Sequence, residues 1–419
     1  MKHSVLHCLT IFLLCFVSRI SYAEIKQSVN SQCSVHINAI SAVKTPSQLV
    51  LPKHGWQSVQ LPDNWAKHWQ NYSGSAWYKI QWKLLCQENT RLAEPIAFAV
   101  DYINSAGAIF LNGDLLWQDQ NLQEPLSKSW NMPRYWLLPA SGLRSDQNEI
   151  LIYVNGFAFQ SAGLGEISFN NVQKNYQLHQ TKIWNSRTLF EINIILSITF
   201  GIICFVIWLL RPKETTFGWF ALSSLLWVLF ISNVLITETW PYSSSLMATQ
   251  ANLVFFILYI LSFCIYLLRF IQTHFVKMER AIALVTVFII IGIFLTPQHA
   301  VRFIFPLIFL SYVSLFFLTY LYLSYQAVKL RSMEYIFLAI SLTGIVIFAV
   351  LDIIVLSSES MSNTQSLLPY SAPIITFFVV MILGLRLVRN IKKVEAFNAE
   401  LEVKVKQVGD DLSSSLNEK

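Results

Sequence analysis

The chain has 419 residues, of which 54% are hydrophobic and only 13% are charged, and its formal net charge is +6. A soluble globular protein carries about 25% charged residues, so this composition predicts a membrane protein with a soluble part. It excludes a disordered chain and, with only six cysteines, a disulfide-dense small protein. The basic residues flank apolar segments instead of forming one face, which argues against binding to nucleic acid.

The N-terminus has the order of a secretory signal peptide. Lys2 precedes an apolar run at about residues 5–17, and the small residues Ser21 and Ala23 stand at −3 and −1 of a cleavage site. The alternative is a signal anchor, but a run of about 13 residues is short for a membrane span. We therefore expect residues 1–23 to be removed after export.

Residues 24–183 contain short strand-like segments and no long apolar run. The segments with strand character are 76–84, 95–102, 108–111 and 148–154. Asn112-Gly113 is a strong hairpin signal between two of the strand-like pieces. Several short strands at even spacing predict a β-sandwich of jelly-roll type. Cys33 and Cys86 lie in this exported part, and the sequence leaves open whether they form a disulfide.

The order of motifs in this part resembles a galactose-binding-like jelly roll. The motifs are Leu61-Pro62-Asp63-Asn64-Trp65, Gly74, Trp77-Tyr78, Ser105-Ala106, Leu111-Asn112-Gly113, and Asn148 to Val154 with Asn155 and Gly163. The order is similar to sugar-binding domains of some glycosidases. It is more similar to the extracellular domain of bacterial seven-transmembrane receptors with diverse intracellular signalling modules. This resemblance covers about residues 60–170 and implies a domain that binds an extracytoplasmic ligand.

Aromatic residues in or near loops are the candidates for stacking on a carbohydrate-like ligand, because binding residues concentrate in loops. They are Trp117, Trp130, Tyr135 and Trp136. The alternative for each residue is packing in the core of the domain. The acidic residues of this part are scattered and form no hydrolytic pair, so we expect no catalytic residues, no metal and no cofactor.

Seven apolar runs follow, and they predict seven transmembrane helices within residues 184–390. The runs are 189–210, 217–236, 251–271, 281–296, 303–325, 335–356 and 368–388. The fourth run is short and Pro297 follows it, so six spans is the alternative. Basic residues concentrate after the first, third, fifth and seventh runs, which favours seven spans with the C-terminus in the cytoplasm. The expected location is the bacterial inner membrane, with the N-terminal domain in the periplasm.

Few ionisable residues lie within the apolar runs. The last run has no lysine for a retinal Schiff base, and Asp352 in the sixth run is the strong candidate for a functional acid. Arg302 enters the fifth run from the same side, which predicts an ion pair between Asp352 and Arg302. The alternative is that Asp352 is solvated at the membrane interface.

The tail at 391–419 predicts a coiled coil. The a positions of its heptads are Ile391, Asn398, Val405 and Leu412, and the d positions include Val394, Leu401 and Val408. An Asn at an a position favours a dimer in fixed register, so we expect a homodimer. The alternative is an amphipathic helix on the membrane surface.

The helix at 397–405 resembles the signalling helix that members of the receptor family place before a diguanylate cyclase or histidine kinase. The motifs of those output enzymes do not follow in this sequence. This departure from the family pattern predicts either a shortened receptor or a separate cytoplasmic protein of one of these classes that provides the output.

Together these patterns predict an inner-membrane sensory receptor without catalytic activity of its own. The exported domain would bind a periplasmic ligand or an envelope protein, and seven helices would relay the signal to the cytoplasmic coiled coil. The alternatives are a transporter or membrane-enzyme accessory subunit with a carbohydrate-binding-like domain, or a structural envelope adaptor. The few ionisable residues in the spans argue against a transporter.

Overall fold

The computed structural model describes residues 33–45, 49–86, 95–357 and 368–417, and the predicted signal peptide lies outside these ranges. A β-rich region comes first, and a region of long apolar helices follows it. The fold class predicted from the sequence is confirmed at this level.

The β-rich region consists of short antiparallel strands, with two longer ones near its start. In chain order the strands are β1 (Cys33–Thr45), β2 (Gln57–Ser58), β3 (Asp63–Asn64), β4 (Gly74–Cys86), β5 (Ile96–Val100), β6 (Ile103–Asn104), β7 (Ala106–Leu111), β8 (Asp114–Gln118), β9 (Arg134–Leu138), β10 (Asn148–Gly156), β11 (Gly163–Leu164) and β12 (Ile167–Asn171). The four segments with strand character in the sequence correspond to β4, β5, β7 and β10, which confirms those predictions.

The strands form three sheets. The largest has six strands in the order β2-β1-β4-β10-β7-β8, and two smaller sheets have the orders β3-β11-β6 and β12-β5-β9. In the large sheet, β4 pairs with β1 on one side and with β10 on the other. Apart from β1 with β2 and β7 with β8, the neighbouring strands of this sheet are distant in sequence, so hairpin signals alone do not predict the order.

The main hydrophobic core of the β-rich region joins the six-stranded sheet to the β12-β5-β9 sheet. Tyr78, Ile80 and Trp82 on β4 are all fully buried in it. They share one face because side chains alternate along a strand with a period of two. The Trp82 ring lies 4.8 Å from Phe169 on β12, and Phe169 lies 5.0 Å from Phe98 on β5. These ring contacts connect the two sheets.

The predicted turn at Asn112-Gly113 joins β7 to β8. Both residues have positive φ, 52° for Asn112 and 103° for Gly113, and Leu111 is opposite Asp114 in the ladder. This conformation suits Asn and Gly because L-residues with larger side chains rarely adopt it. The Asn112 side chain also accepts a hydrogen bond from the Glu149 N–H at 2.9 Å, so the turn is fixed to β10.

Cys33 is disulfide-bonded, and Cys86 is the residue opposite it where β1 pairs with β4. Opposed residues of an antiparallel pair have Cα atoms about 4.5–5.5 Å apart, which is within the span of a disulfide. The question that the sequence left open for Cys33 is therefore answered in favour of a bonded cysteine at the start of β1.

The helical region follows β12 without a loop. Its helices are α1 (Val172–Ile183), α2 (Leu189–Leu210), α3 (Thr215–Ser232), α4 (Ser245–Phe270), α5 (Val276–Leu295), α6 (Gln298–Leu330), α7 (Met333–Ser357) and α8 (Leu368–Asn417). A π-helical segment, Trp184–Thr188, joins α1 to α2. The side chain of Asn171 caps α1 by accepting the Lys174 N–H at 2.8 Å.

Among the residues that the structure describes, five helical stretches are long and apolar enough to cross a membrane. They are Val172–Leu210, which includes α1 and α2, and then α3, α4, α5 and α6. A shorter apolar stretch, Met333–Phe348, lies in α7. A helix occupies each of the seven apolar runs, and the number of seven spans stays a prediction.

The predicted coiled-coil segment belongs to α8, a helix of 50 residues. Val394, Leu401, Val405 and Val408 are exposed along it, with exposed fractions of 49–66%. Ile391 is half-buried and Asn398 is exposed, while the side chain of Leu412 lies outside the described residues. The pairing of this segment with a second copy stays a prediction.

We expect Gly163→Ala to destabilise the β-rich region by at least about 2 kcal/mol, because overpacking at a site without free space forces the backbone to move. A Cβ at Gly163 would lie 2.1 Å from the Asp63 carbonyl oxygen, where β11 pairs with β3. Thermal unfolding of the full chain in detergent, followed by tryptophan fluorescence, measures the effect. Gly142→Ala is the matched control, since its Cβ would meet atoms only at 3.7 Å and beyond. Equal midpoints for both variants would contradict the close approach.

Candidate functional site at the junction of the β-rich region and the helices

The four predicted ligand-binding aromatics do not form one surface. Trp117 on β8 and Trp136 on β9 are half-buried against the main core, with ring centroids 5.8 Å apart. Tyr135 lies on the other face of β9, 4.7 Å from the His179 ring on α1. Trp130, in the loop before β9, is 38% exposed and is the most accessible of the four. Trp130 therefore best fits a surface contact.

Arg134 connects the aromatic pair to the loop between β8 and β9. Its guanidinium carbon lies 3.9 Å from the centroid of the Trp117 ring. Its Nη2 donates to Asp119 Oδ1 at 3.2 Å and to Ser129 Oγ at 3.0 Å. Asp119 also accepts the Gly107 N–H at 2.8 Å, and burial raises the pKa of this carboxyl while Arg134 opposes the rise. The carboxylate is thus fixed between β7 and the loop.

The loop at residues 119–131, here called the docking loop, lies on the connection between α3 and α4 at residues 233–244. The Glu238 carboxylate in that connection accepts the Ser127 hydroxyl at 2.9 and 3.0 Å and the Asn121 amide at 2.9 Å. The backbone N–H of Lys128 donates to the Thr237 carbonyl at 2.6 Å. Glu238 is thus a charged acceptor with three contacts to the docking loop, and hydrogen bonds to an ionised acceptor are stronger than neutral ones.

Lys128 places an amine within the electrostatic influence of the Glu238 carboxylate. Its Nζ donates to Asn233 Oδ1 at 2.8 Å. Burial lowers the pKa of Lys128, and the charge of Glu238 opposes the decrease. The folded pKa of Lys128 lies below its unfolded pKa, so folding favours the neutral amine. The contribution of this preference to stability is therefore complete above pH 10.5 and is lost as the pH falls through the folded pKa.

Glu124, an acidic residue of the docking loop, binds the N-terminus of α4. Glu124 accepts the Ser245 N–H at 2.6 Å with one oxygen and the Ser245 hydroxyl at 2.8 Å with the other. Ser245 Oγ in turn accepts the Leu126 N–H at 3.1 Å, and the Thr239 hydroxyl donates to the Leu126 carbonyl. A carboxylate is favourable here because the first N–H groups of a helix are unpaired and the helix dipole is positive at this end.

Three further contacts join the β-rich region to the helices. Asn175 of α1 donates to the Ala97 carbonyl of β5 at 2.9 Å, and Lys182 of α1 pairs with Asp101. Phe159, between β10 and β11, packs on an apolar cluster formed by α4, α5 and α6. The β-rich region is therefore fixed to the helices at several points around the junction.

The predicted pair between Arg302 and Asp352 is not described in full, because the side chain of Asp352 lies outside the described residues. Arg302, at the start of α6, donates from Nη1 to Asn71 Oδ1 in the β-rich region at 2.9 Å. Arg302 thus adds one more contact to the junction, and its pairing with Asp352 stays a prediction.

Enclosed space near the junction is small. One cleft lies between sheet β12-β5-β9 and α1, and another lies between Trp69 and Arg302; each has a volume of about 10 Å³, enough for about one water molecule. In the part of the chain that the structure describes, no group of three or more His, Cys, Asp or Glu side chains could hold a metal ion.

Sequence reasoning did not single out the docking loop, Glu238 or Lys128. One signal was present: Glu238 is the charged residue in the α3–α4 connection, which otherwise holds only uncharged residues. Nothing in the sequence pairs this acid with Ser127, because the two residues are 111 positions apart.

Comparisons with solved structures find partial similarity to glycosidases. No family model and no curated protein matches the chain. A β-glucuronidase from Ruminococcus gnavus is 14% identical with a TM-score of 0.23, over 30% of this chain and 22% of that one. A putative β-galactosidase from Bacteroides fragilis is 14% identical with a TM-score of 0.23, over 30% and 19%. The chain thus spans about a fifth of the length of these structures.

We expect Glu238→Gln to lower the free energy of unfolding by about 1–3 kcal/mol, since part-buried hydrogen bonds to a charged acceptor are weakened and the half-buried Lys128 amine loses the favourable charge of Glu238. The midpoint of thermal unfolding in detergent measures the loss. The double variant Glu238→Gln/Lys128→Met should recover part of it. Glu402→Gln, on the exposed part of α8, is the control and should have no effect. Full additivity of the two junction substitutions would mean that the residues are not coupled.

Replacing the candidate aromatics separates packing from surface exposure. Trp136→Ala should destabilise the β-rich region by about 2–4 kcal/mol, because it leaves a cavity beside Phe98 and Trp117. Trp130→Ala should change stability by less than about 1 kcal/mol, as is usual for exposed positions. Thermal unfolding of both variants checks the difference, and a larger loss for Trp130→Ala would reverse the assignment.

Proposed function

We propose that the chain is a sensory receptor of the bacterial inner membrane, as its resemblance to seven-transmembrane receptors with diverse intracellular signalling modules implies. The β-rich region is then a periplasmic, galactose-binding-like jelly roll. The observation that carries the proposal is the polar contact between the docking loop and the α3–α4 connection, centred on Glu238. A domain attached only by a tether would have no need of such a contact.

The location in the periplasm has two independent supports. Cys33 is disulfide-bonded, and structural disulfides form in oxidising compartments such as the periplasm. Basic residues concentrate in every second connection between the apolar helices, and therefore on one side of them. Arg211, Lys277 and Lys329 lie on this side, which is opposite the β-rich region.

The signal in this proposal is a shift between two arrangements of the junction. A ligand or an envelope protein shifts such an equilibrium only by its difference in affinity for the two states. The proposal places recognition on the surface of the β-rich region, where Trp130 is accessible. The proposal assigns no catalytic step to the chain.

The cytoplasmic end of the relay is α8. At its exit from the bundle, Arg386 donates from Nη1 to the Phe270 carbonyl of α4 at 3.0 Å. Arg389 pairs with Glu334 of α7, and the Asn390 amide lies 3.4 Å from Glu214 in the α2–α3 connection. These three residues lie on one helical face, at spacings of three and four. A change in bundle packing therefore reaches the tail, where a homodimer presents a coiled coil to a separate output protein.

We expect single-cysteine variants in native membranes to form disulfide-linked dimers efficiently at Val394, Leu401 and Val408, and poorly at Ala396 and Val403. The d positions face a partner in a coiled coil, whereas 396 and 403 face away from it. Val403 is the sharper control, because it is as exposed as Val408 in one chain. Uniform cross-linking around the helix would refute the dimer seam.

The receptor function itself is tested by the response of the Leu401 cross-link. Membranes with the full chain are treated with a glycan and small-molecule panel, and separately with purified envelope proteins. An active compound should change the yield at Leu401, and Glu238→Gln should abolish the change while Glu402→Gln preserves it. A response to an envelope protein alone would assign the surface to protein docking. A yield that no addition changes would refute the receptor function.

A further inference from the structure

The helix from Val172 to Leu210 contains one irregular turn, and it lies between the part that contacts the β-rich region and the part in the bundle. In the π-segment Trp184–Thr188, the Leu189 N–H donates to the Trp184 carbonyl, five residues earlier. A π-turn contains one residue more than an α-turn, and such turns occur often at functional positions. Asn185, Ser186 and Thr188 favour an irregular turn, because their side chains compete for backbone groups.

The extra residue sets which sides of the helix are buried. Asn175 faces the β-rich region, and Leu189 and Asn193 face the bundle. In an unbroken α-helix, two residues 14 positions apart, such as Asn175 and Leu189, point in directions about 40° apart. One extra residue changes this angle to about 140°. The π-segment thus allows one helix to pack on the two parts with nearly opposite sides.

The docking loop contacts this turn directly. The Asn131 side-chain amide donates to the Ser186 carbonyl of the π-segment at 2.5 Å and lies 3.4 Å from the Val234 carbonyl of the α3–α4 connection. From the other side, Arg187 Nη2 donates to the Leu235 carbonyl at 2.9 Å. One side chain of the β-rich region therefore stabilises the irregular turn and holds it next to α3.

We propose that the π-segment is a register switch, and that Asn131 is the positioning residue that holds it in the π form. When the docking loop withdraws the Asn131 amide, the segment converts to α-helix. The extra residue is then lost from the turn, and α1 with the β-rich region turns relative to α2 by about 100° and shifts by about 1.5 Å, the values for one residue of α-helix. This switch rests on the proposed function, because the docking loop has to move for it to act.

The two forms differ little in backbone hydrogen bonding, since each N–H pairs with a carbonyl either four or five residues earlier. What differs is the set of contacts at the junction, because a rotation of this size also releases the contacts of Glu238, Glu124 and Arg302. The π form has the Asn131 and Arg187 contacts, and the α form has the more regular helix. An element with two discrete arrangements of similar backbone bonding can convert a small movement of the loop into a large rotation.

The test uses the full chain in lipid nanodiscs, with spin labels at Gln177 on α1 and His299 at the start of α6, both exposed. Asn131→Asp keeps the shape of the side chain but removes the donor. We expect a second distance population, displaced by about 5 Å or more given a helix diameter of about 10–12 Å. Deletion of Asn185 should leave only the displaced population. Gln147→Glu, an amide-to-acid change in an exposed loop, should retain the wild-type distance.

Hydrogen exchange provides a second measurement. Amides 184–190 should exchange with changed rates in Asn131→Asp and in Asn131→Ala, while those of α4 stay unchanged. Wild-type distances together with wild-type exchange in both variants would overturn the switch, whatever the result for the deletion. Neither readout needs a ligand. If the spin-label distance is displaced in the variants but no addition changes the yield of the Leu401 cross-link, the receptor function is refuted and the register switch is supported.

Discussion

The Glu238 carboxylate is partly removed from water between the β-rich region and the helices, and the arrangement of the junction depends on it. Transfer of a carboxylate out of water is costly unless hydrogen bonds replace the solvent. Here Ser127 and Asn121 provide them, and both belong to the docking loop. An alternative seating of the loop would leave the acid without donors, so the charge selects one arrangement more strongly than an apolar contact would.

Around this centre, the other contacts restrict the β-rich region in different directions. Glu124 ties the docking loop to the start of α4, Phe159 packs on the cluster of α4, α5 and α6, and α1 continues into α2. A body attached at several points cannot tilt without breaking at least one attachment. Movement of the docking loop is therefore communicated to more than one helix at the same time, which a single hinge could not do.

Local patterns predicted much of this architecture. The alternation at 76–84 predicted β4, and Asn112-Gly113 predicted the hairpin between β7 and β8. The apolar runs predicted helices, which the structure has at the expected positions. The junction was beyond such patterns. Its contacts join residues more than a hundred positions apart, such as Leu126 with Ser245, and the residues involved are ordinary loop residues in sequence. Trp117 and Trp136 lie within β8 and β9 and pack against the core, because proximity to a loop in sequence does not indicate on which side a side chain lies; their role in ligand binding stays a prediction.

The length of α8 has a mechanical consequence. α8 is a continuous helix of 50 residues and is about 75 Å long. The contacts of Arg389 and Asn390 fix it to the bundle near its middle. About 40 Å of the helix extends beyond these two residues. A tilt of only about 5° within the bundle would move the far end sideways by roughly 4 Å, about the distance between two side chains in contact. A change in the angle of α8 that is too small to disrupt the bundle therefore produces a much larger displacement at the far end of the helix. This displacement is large enough to separate or join two surfaces.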